Sequence, residues 1–264
     1  MFKDEYQSVC NAAKGKLGLL EKSPLGYFVS SIVAGMFIAL GGFVTFTLGA
    51  HLTAAGCTIT KPIMAFAFAS ALSLVVMAGA ELFTGNNFVM AAGSFMGQVS
   101  WANTVKVWVV CHLGNLVGAL LGAVMFVAAG VPTGTVGEFF ANTAATKMGG
   151  AAGQLFVKGI MCNLMVCLAV WCCTKMKTES GKLIMIFWCI FIFMVCGFEH
   201  SIANMGYISS GLVANSLYGH VGVDITGLTW FNFIFANLIP VTLGNIVGGL
   251  ATGTYYWFTG RKTK

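Results

Sequence analysis

The sequence predicts an all-α membrane protein: six transmembrane helices arranged as two inverted three-helix repeats, with spans 2 and 5 broken. Three observations predict it. The 264 residues are 58% hydrophobic and only 8% charged, with mean hydropathy +0.86, whereas a soluble domain carries about 25% charged residues. Apolar stretches of about 20 residues, the length a helix needs to cross a bilayer, recur along the whole chain. Two of these stretches contain matching polar interruptions. GAELFTGN at 79–86 and GFEHSIAN at 197–204 share Gly, Glu and Asn in register.

The first 23 residues lack the long apolar run of a signal peptide. They read as a short amphipathic helix at the inner surface, with a plain cytosolic tail as the alternative. Span 1 runs over about 27–50. Span 2 runs over about 62–97, too long for one straight crossing, and ELFTGNN interrupts its middle. Span 3 covers about 105–129, and an uneven loop, GVPTGTVGEFFANTAATKMGG, follows. Span 4 covers about 151–173. Span 5 begins near 183, is interrupted by EHSIAN, and fades near 213. Span 6 covers about 228–258. No linker or soluble domain fits between them, so 1–264 reads as one transmembrane channel domain, with repeats at about 24–130 and 147–260.

The net charge of +6 does not point to nucleic acid, because the basic residues sit in tails and joints between spans. With both termini in the cytoplasm, the inner segments hold Lys3 to Lys22, Lys106, Lys175 to Lys182 and Arg261 to Lys264. The outer segments hold only Lys61 and Lys147. This is the positive-inside distribution that sets orientation. The nine cysteines have no metal-site spacing and fall mostly in apolar runs, as free thiols packing like small hydrophobes do.

The repeat extends beyond the breaks. LGNLVGAL at 113–120 matches LGNIVGGL at 243–250, and FVSSIV at 28–33 weakly matches FVKGIM at 156–161. Spans 1–3 therefore recur as spans 4–6. Three is odd, so the second copy enters the membrane upside down. Inverted repeats with broken spans mark transporters and channels, and substrate sites lie at the breaks. Glycines at spacing four, such as Gly118 and Gly122 or Gly244 and Gly248, suit close helix packing in lipid.

A broken helix leaves backbone groups that protein or a watery cavity must satisfy. Glu81 and Glu199 occupy equivalent positions, so a structural role is expected of both, each accepting hydrogen bonds from N–H groups of its break. Thr84 and His200 are not equivalent. Inversion can bring their loops together near mid-membrane, where a hydroxyl and an imidazole N–H could meet a small ion. The bland alternative for His200 is a buried ring tied to a neighbouring asparagine. Lys158 lies inside span 4 without an acidic partner in its helix, and so faces a cavity or snorkels outward. Lys147, at the external mouth, can draw anions by its field.

ELFTGN, the KMGG start of span 4, GIMCNLMVCLAVW at 159–171, GFEHSIANM and NLIPVTLGNIVGG at 237–249 resemble the formate/nitrite transporter family across all six spans. The resemblance implies a homopentamer in the lipid bilayer, each subunit with its own pore and an aquaporin-like fold. It implies conduction of small monovalent anions such as formate, nitrite or hydrosulfide, with no cofactor or metal, and no enzymatic activity. The family's pore histidine, threonine and asparagine fall on His200, Thr84 and Asn245. Its paired lysine and asparagine fall on Lys147 and Asn163. Its hydrophobic constrictions fall on Phe68 and Leu72, and on Leu82, Phe83 and Phe193. Formate channels of the family tend to carry a proline soon after the ANM triplet. Here the run is NMGYISSGL, which leaves nitrite or hydrosulfide open and is similar to the hydrosulfide branch.

The expectation is thus a passive or proton-linked anion channel of the inner (plasma) membrane, multi-pass, with both termini cytoplasmic. One alternative is an aquaporin-like channel for small neutral solutes, but that type would want paired Asn-Pro-Ala boxes, and none is present. A membrane haem protein would need axial ligands, for which His112 and His200 are the only span candidates; His51 and His220 lie at the outer side.

Overall fold

The computed structural model describes residues 2–219 and 226–261. His220, Lys262 and Lys264 lie outside the described residues. The described chain is helical throughout: α1 (Lys3–Lys22), α2 (Pro24–Ala54), α3 (Thr60–Ala78), α4 (Phe83–Phe95), α5 (Trp101–Ala128), α6 (Gly134–Met148), α7 (Ala152–Lys175), α8 (Glu179–Cys196), α9 (Ser201–Tyr218) and α10 (Trp230–Gly260). Six of these, α2, α3, α5, α7, α8 and α10, are long and apolar enough to cross a membrane.

The helix ends follow from local chemistry. Pro24 opens α2 at a position where its missing N–H costs nothing. Ser100 and Thr178 cap α5 and α8 by accepting from the N–H groups of Asn103 and Gly181. The two breaks use one device. Gly79 ends α3 at φ +79° and Gly197 ends α8 at φ +72°, a region that side chains disfavour. These are the glycines that open the two matching motifs. A short extended stretch follows each, and a new helix starts at Phe83 or Ser201.

The packing repeats as well. α2 packs on α3 and α5, as α7 packs on α8 and α10. α1 packs on α4, as α6 packs on α9. The Lys61 ammonium at the start of α3 approaches Gly197 at the end of α8, so these two packed helices run antiparallel, as inverted halves require. Glycines allow the close crossings: a Cβ at Gly118 would fall on the Ile32 carbonyl, and one at Gly244 on the Phe156 carbonyl.

Two expectations change. The stretch read as an uneven loop, 130–150, contains α6. Its apolar residues Val136, Phe140, Ala141, Ala144 and Met148 are buried, at spacings that place them on one helical face. Each half therefore begins with a surface helix, α1 or α6, ahead of its first span. Span 6 is not uniformly α-helical, because Phe233–Leu238 forms a π-helical turn. α1 is amphipathic as expected and buries Tyr6, Val9, Cys10 and Ala13. Burial pushes the Cys10 thiol up to about 11. All nine cysteines are free thiols.

Candidate transport pathway

The starts of α4 and α9 meet inside the bundle. Two asparagines hold them there with the same three bonds. Asn115 Oδ1 accepts from the N–H of Phe83 at 2.9 Å, and its Nδ2 donates to the carbonyls of Ser31 and Glu81 at 2.7 and 2.9 Å. Asn245 Oδ1 accepts from the N–H of Ser201 at 2.9 Å, and its Nδ2 donates to the carbonyls of Gly159 and Glu199 at 2.8 and 2.9 Å. The N–H groups of the two acids donate to the carbonyls of Ser30 and Lys158. The weak match FVSSIV/FVKGIM thus supplies equivalent acceptors.

The carboxylates do not take the backbone N–H groups expected of them; side chains surround them instead. Glu81 accepts from Lys16 Nζ at 2.7 and 2.8 Å, Asn86 Nδ2 at 2.9 Å and Tyr27 OH at 3.3 Å. Glu199 accepts from Lys147 Nζ at 2.9 and 3.0 Å and from Asn204 Nδ2 at 2.7 Å. Lys147 is therefore charge-compensated, and a net field from it at the mouth is cancelled. The π-helical turn places Asn237 in this network, where it accepts from Asn204 Nδ2 and donates to the Lys147 carbonyl.

His200 caps α9: its Nδ1 accepts from the N–H of Ala203 at 3.0 Å. A backbone N–H can only donate, so in the neutral ring the proton sits on Nε2. That nitrogen lies 2.9 Å from Thr84 Oγ1. Donation from Nε2 leaves the Thr84 hydroxyl proton free for a further acceptor.

Three cavities lie in sequence. The first, 390 Å³, lies on the α1 side and is lined by Lys16, Leu72, Glu81, Leu82, Asn86 and Val89 among others. The third, 100 Å³, lies on the α6 side and is lined by Phe46, Lys147, Phe193, Glu199, His200 and Tyr207 among others. Between them is a slot of 10 Å³ lined by Ile38, Phe68, Leu72, Leu82, Ile190, Phe193 and His200 among others. Leu72 and Leu82 border both the first cavity and the slot; Phe193 and His200 border both the slot and the third. A slot of this size holds about one water at most. Phe68 meets Phe193 edge-on at 5.9 Å, and Phe193 stacks on His200 at 6.1 Å between ring centres.

Of the expected site residues, Phe68, Leu72, Leu82, Phe193, His200 and Lys147 line this series. Thr84 is fully buried and lines none of the three cavities; it touches the slot only through His200. Asn245 is likewise fully buried, with its amide spent on the α9 break. Asn163 is not the partner of Lys147. Its Nδ2 donates to the carbonyls of Thr84 and Asn245 and to Asn87 Oδ1, because α7 carries it behind the two breaks. Phe83 points away from the slot, into a separate apolar groove beside His112, Trp108 and Ile246. Lys158 is exposed and makes no ion pair among the described residues. Sequence reasoning missed Lys16 and Asn115. The LGN repeat already placed Asn115 in register with Asn245, which is the signal that could have found it.

The family model described as formate/nitrite transporter matches residues 3–258. The chain belongs to the formate/nitrite transporter family. Nitrite transporter NirC of Salmonella typhimurium is 35% identical, over 100% of this chain and 94% of its own. A solved FNT family ion channel superimposes with TM-score 0.89 at 32% identity, covering 98% of this chain and 100% of that one. A pentameric formate channel with formate bound gives TM-score 0.80 at 31% identity, over 90% of this chain and 98% of that one. As a formate/nitrite transporter family member, the chain is a multi-pass membrane protein of a family of transporters and channels rather than enzymes.

Proposed function

We propose that the chain is a channel for small monovalent anions of the size of formate, nitrite or hydrosulfide, working as a homopentamer with one pore in each subunit. The observation that carries this reading is the slot: an apolar constriction with room for about one water, bordered by a single polar group, the His200 imidazole. The positive ends of α4 and α9 converge beside it. An anion entering the slot sheds its water at the Phe193 and Leu72 levels. The imidazole Nε2–H, on exchanging its Thr84 partner for the anion, and the two helix starts replace part of that hydration, which hydrocarbon alone would not. Thr84 orients the ring. A weak acid has a second route, in which it takes a proton in the α6-side cavity and crosses the slot neutral. Since both lysines at the cavities are paired with glutamates, entry is driven by helix dipoles rather than by a net positive mouth. The basic residues of the tails and joints support an orientation with α1 on the cytoplasmic side of the inner (plasma) membrane.

Stopped-flow measurement on proteoliposomes tests this. At least one of formate, nitrite and hydrosulfide should enter faster than into protein-free vesicles, with glycerol entry unchanged. Faster glycerol entry with no anion gain would contradict it.

A further inference from the structure

The two short helices present equivalent faces to the two larger cavities. On α4 the face is Leu82, Gly85, Asn86 and Val89; on α9 it is His200, Ala203, Asn204 and Tyr207. The spacing i, i+3, i+4, i+7 puts each set on one side of its helix. Gly and Ala hold one pair of positions, and asparagine holds another in both helices. The faces differ in chemistry at two places: His200 stands where Leu82 does, and Tyr207 stands where Val89 does.

His200 has partners, but the hydroxyl of Tyr207 has none among the described residues. The residue is 2% exposed, and its phenol oxygen makes no hydrogen bond among the described residues. A buried hydroxyl without a partner carries a desolvation cost that a phenylalanine would not. The ring itself is closely held. It lies over Gly42, where a Cβ would collide with its Cε1. It packs 4.2 Å from Phe46 and edge-on to Phe68 at 5.8 Å, and Lys147 Nζ lies 5.7 Å from its centre. The ring is thus fixed between the Lys147–Glu199 pair and the aromatic constriction, with an unused donor attached.

We propose that Tyr207 is a specificity-determining residue: its O–H donates to an oxygen of an anion in the α6-side cavity, before the anion reaches Phe68 and Phe193. This rests on the anion-channel reading and deepens it. The donor favours oxyanions such as formate and nitrite over hydrosulfide, whose sulfur is a weaker acceptor. The equivalent valine gives the α1-side cavity no such donor, so the selection is one-sided.

Tyr207→Phe removes the hydroxyl and keeps the ring. Formate, nitrite and hydrosulfide permeabilities are measured on proteoliposomes of wild type and variant at one pH, after subtracting the leak of protein-free vesicles. The formate-to-hydrosulfide and nitrite-to-hydrosulfide ratios should fall about tenfold in the variant, the loss expected for one hydrogen bond to a charged acceptor. Tm of the purified protein should stay equal or rise. Ratios within a factor of about two of wild type, or a lowered Tm showing that the hydroxyl has a structural partner, would overturn the proposal. A wild type that passes none of the anions would instead overturn the anion-channel reading on which it rests.

Discussion

Thr84 Oγ1 and His200 Nε2 lie 2.9 Å apart, joining the first turn of α4 to the cap of α9. The bond ties together two chain segments that enter from opposite faces of the bundle. It also fixes the imidazole at the border of the slot, with Nδ1 committed to the Ala203 N–H. Protonating the ring at Nδ1 requires that cap to break. Gain of a proton at His200 is therefore coupled to movement at the start of α9.

The Lys147–Glu199 pair should be structural before it is electrostatic. Both side chains are largely buried, 17% and 8% exposed. Removing one partner leaves an uncompensated charge, which costs roughly 3 kcal/mol. Lys147→Gln should lower the stability of the detergent-solubilised protein by that order, and Lys147→Gln with Glu199→Gln should recover a large part of it. Additive losses in the double mutant cycle would contradict the pairing.

Asn115 and Asn245 make the same three bonds to equivalent backbone groups. Asn115→Ala and Asn245→Ala should therefore destabilise to a similar degree, about 3 kcal/mol each, because each orphans a buried N–H and takes a donor from two buried carbonyls. Urea or thermal unfolding of the two variants side by side reads this directly. A large loss in one and none in the other would show that only one break is stapled.

Glycine substitutions should split by position. Gly244 touches the Phe156 carbonyl and Gly159 across the α7–α10 crossing. Gly244→Ala should force the helices apart and abolish recovery of folded protein. Gly153, in α7, has nothing within 4 Å of its would-be Cβ, so Gly153→Ala should gain about 0.5–1 kcal/mol from helix propensity. Yield and Tm of the two variants check both outcomes.

Much of this arrangement is legible in the sequence where chemistry repeats. The Gly, Glu and Asn of 79–86 and 197–204 mark the breaks because each has a backbone or charge-pairing duty that the other half must also meet. The LGN pair marks the staples for the same reason. The six spans follow from composition alone, as hydrocarbon demands long apolar helices. α6 was hidden, since a 15-residue amphipathic helix rich in Gly and Thr lacks the apolar run that announces a span. With α6 hidden, Lys147 could not be placed against Glu199, 52 residues away. The family resemblance puts Phe83 in the pore by its place in the ELFTGN motif. Its side faces α5 because Leu82, one residue earlier and extended, takes the slot. Asn245 carries its amide into the centre, but backbone groups exposed by the α9 break use it up, and Asn163 Nδ2 is spent on Thr84, Asn87 and Asn245, with its Oδ1 unpartnered among the described residues. Sequence cannot distinguish an amide aimed at an ion from one aimed at a carbonyl.

The most direct measurement is anion flux through reconstituted His200→Ala, compared with wild type at pH 5.5 and 7.5 as trial conditions of about one unit on either side of the ordinary histidine value. Flux in the variant should fall at least about tenfold at the higher pH, since the lone polar group of the slot is gone, and its response to pH should differ from that of wild type. A variant that keeps both the wild-type flux and the wild-type pH response would contradict the placement of the pathway at His200.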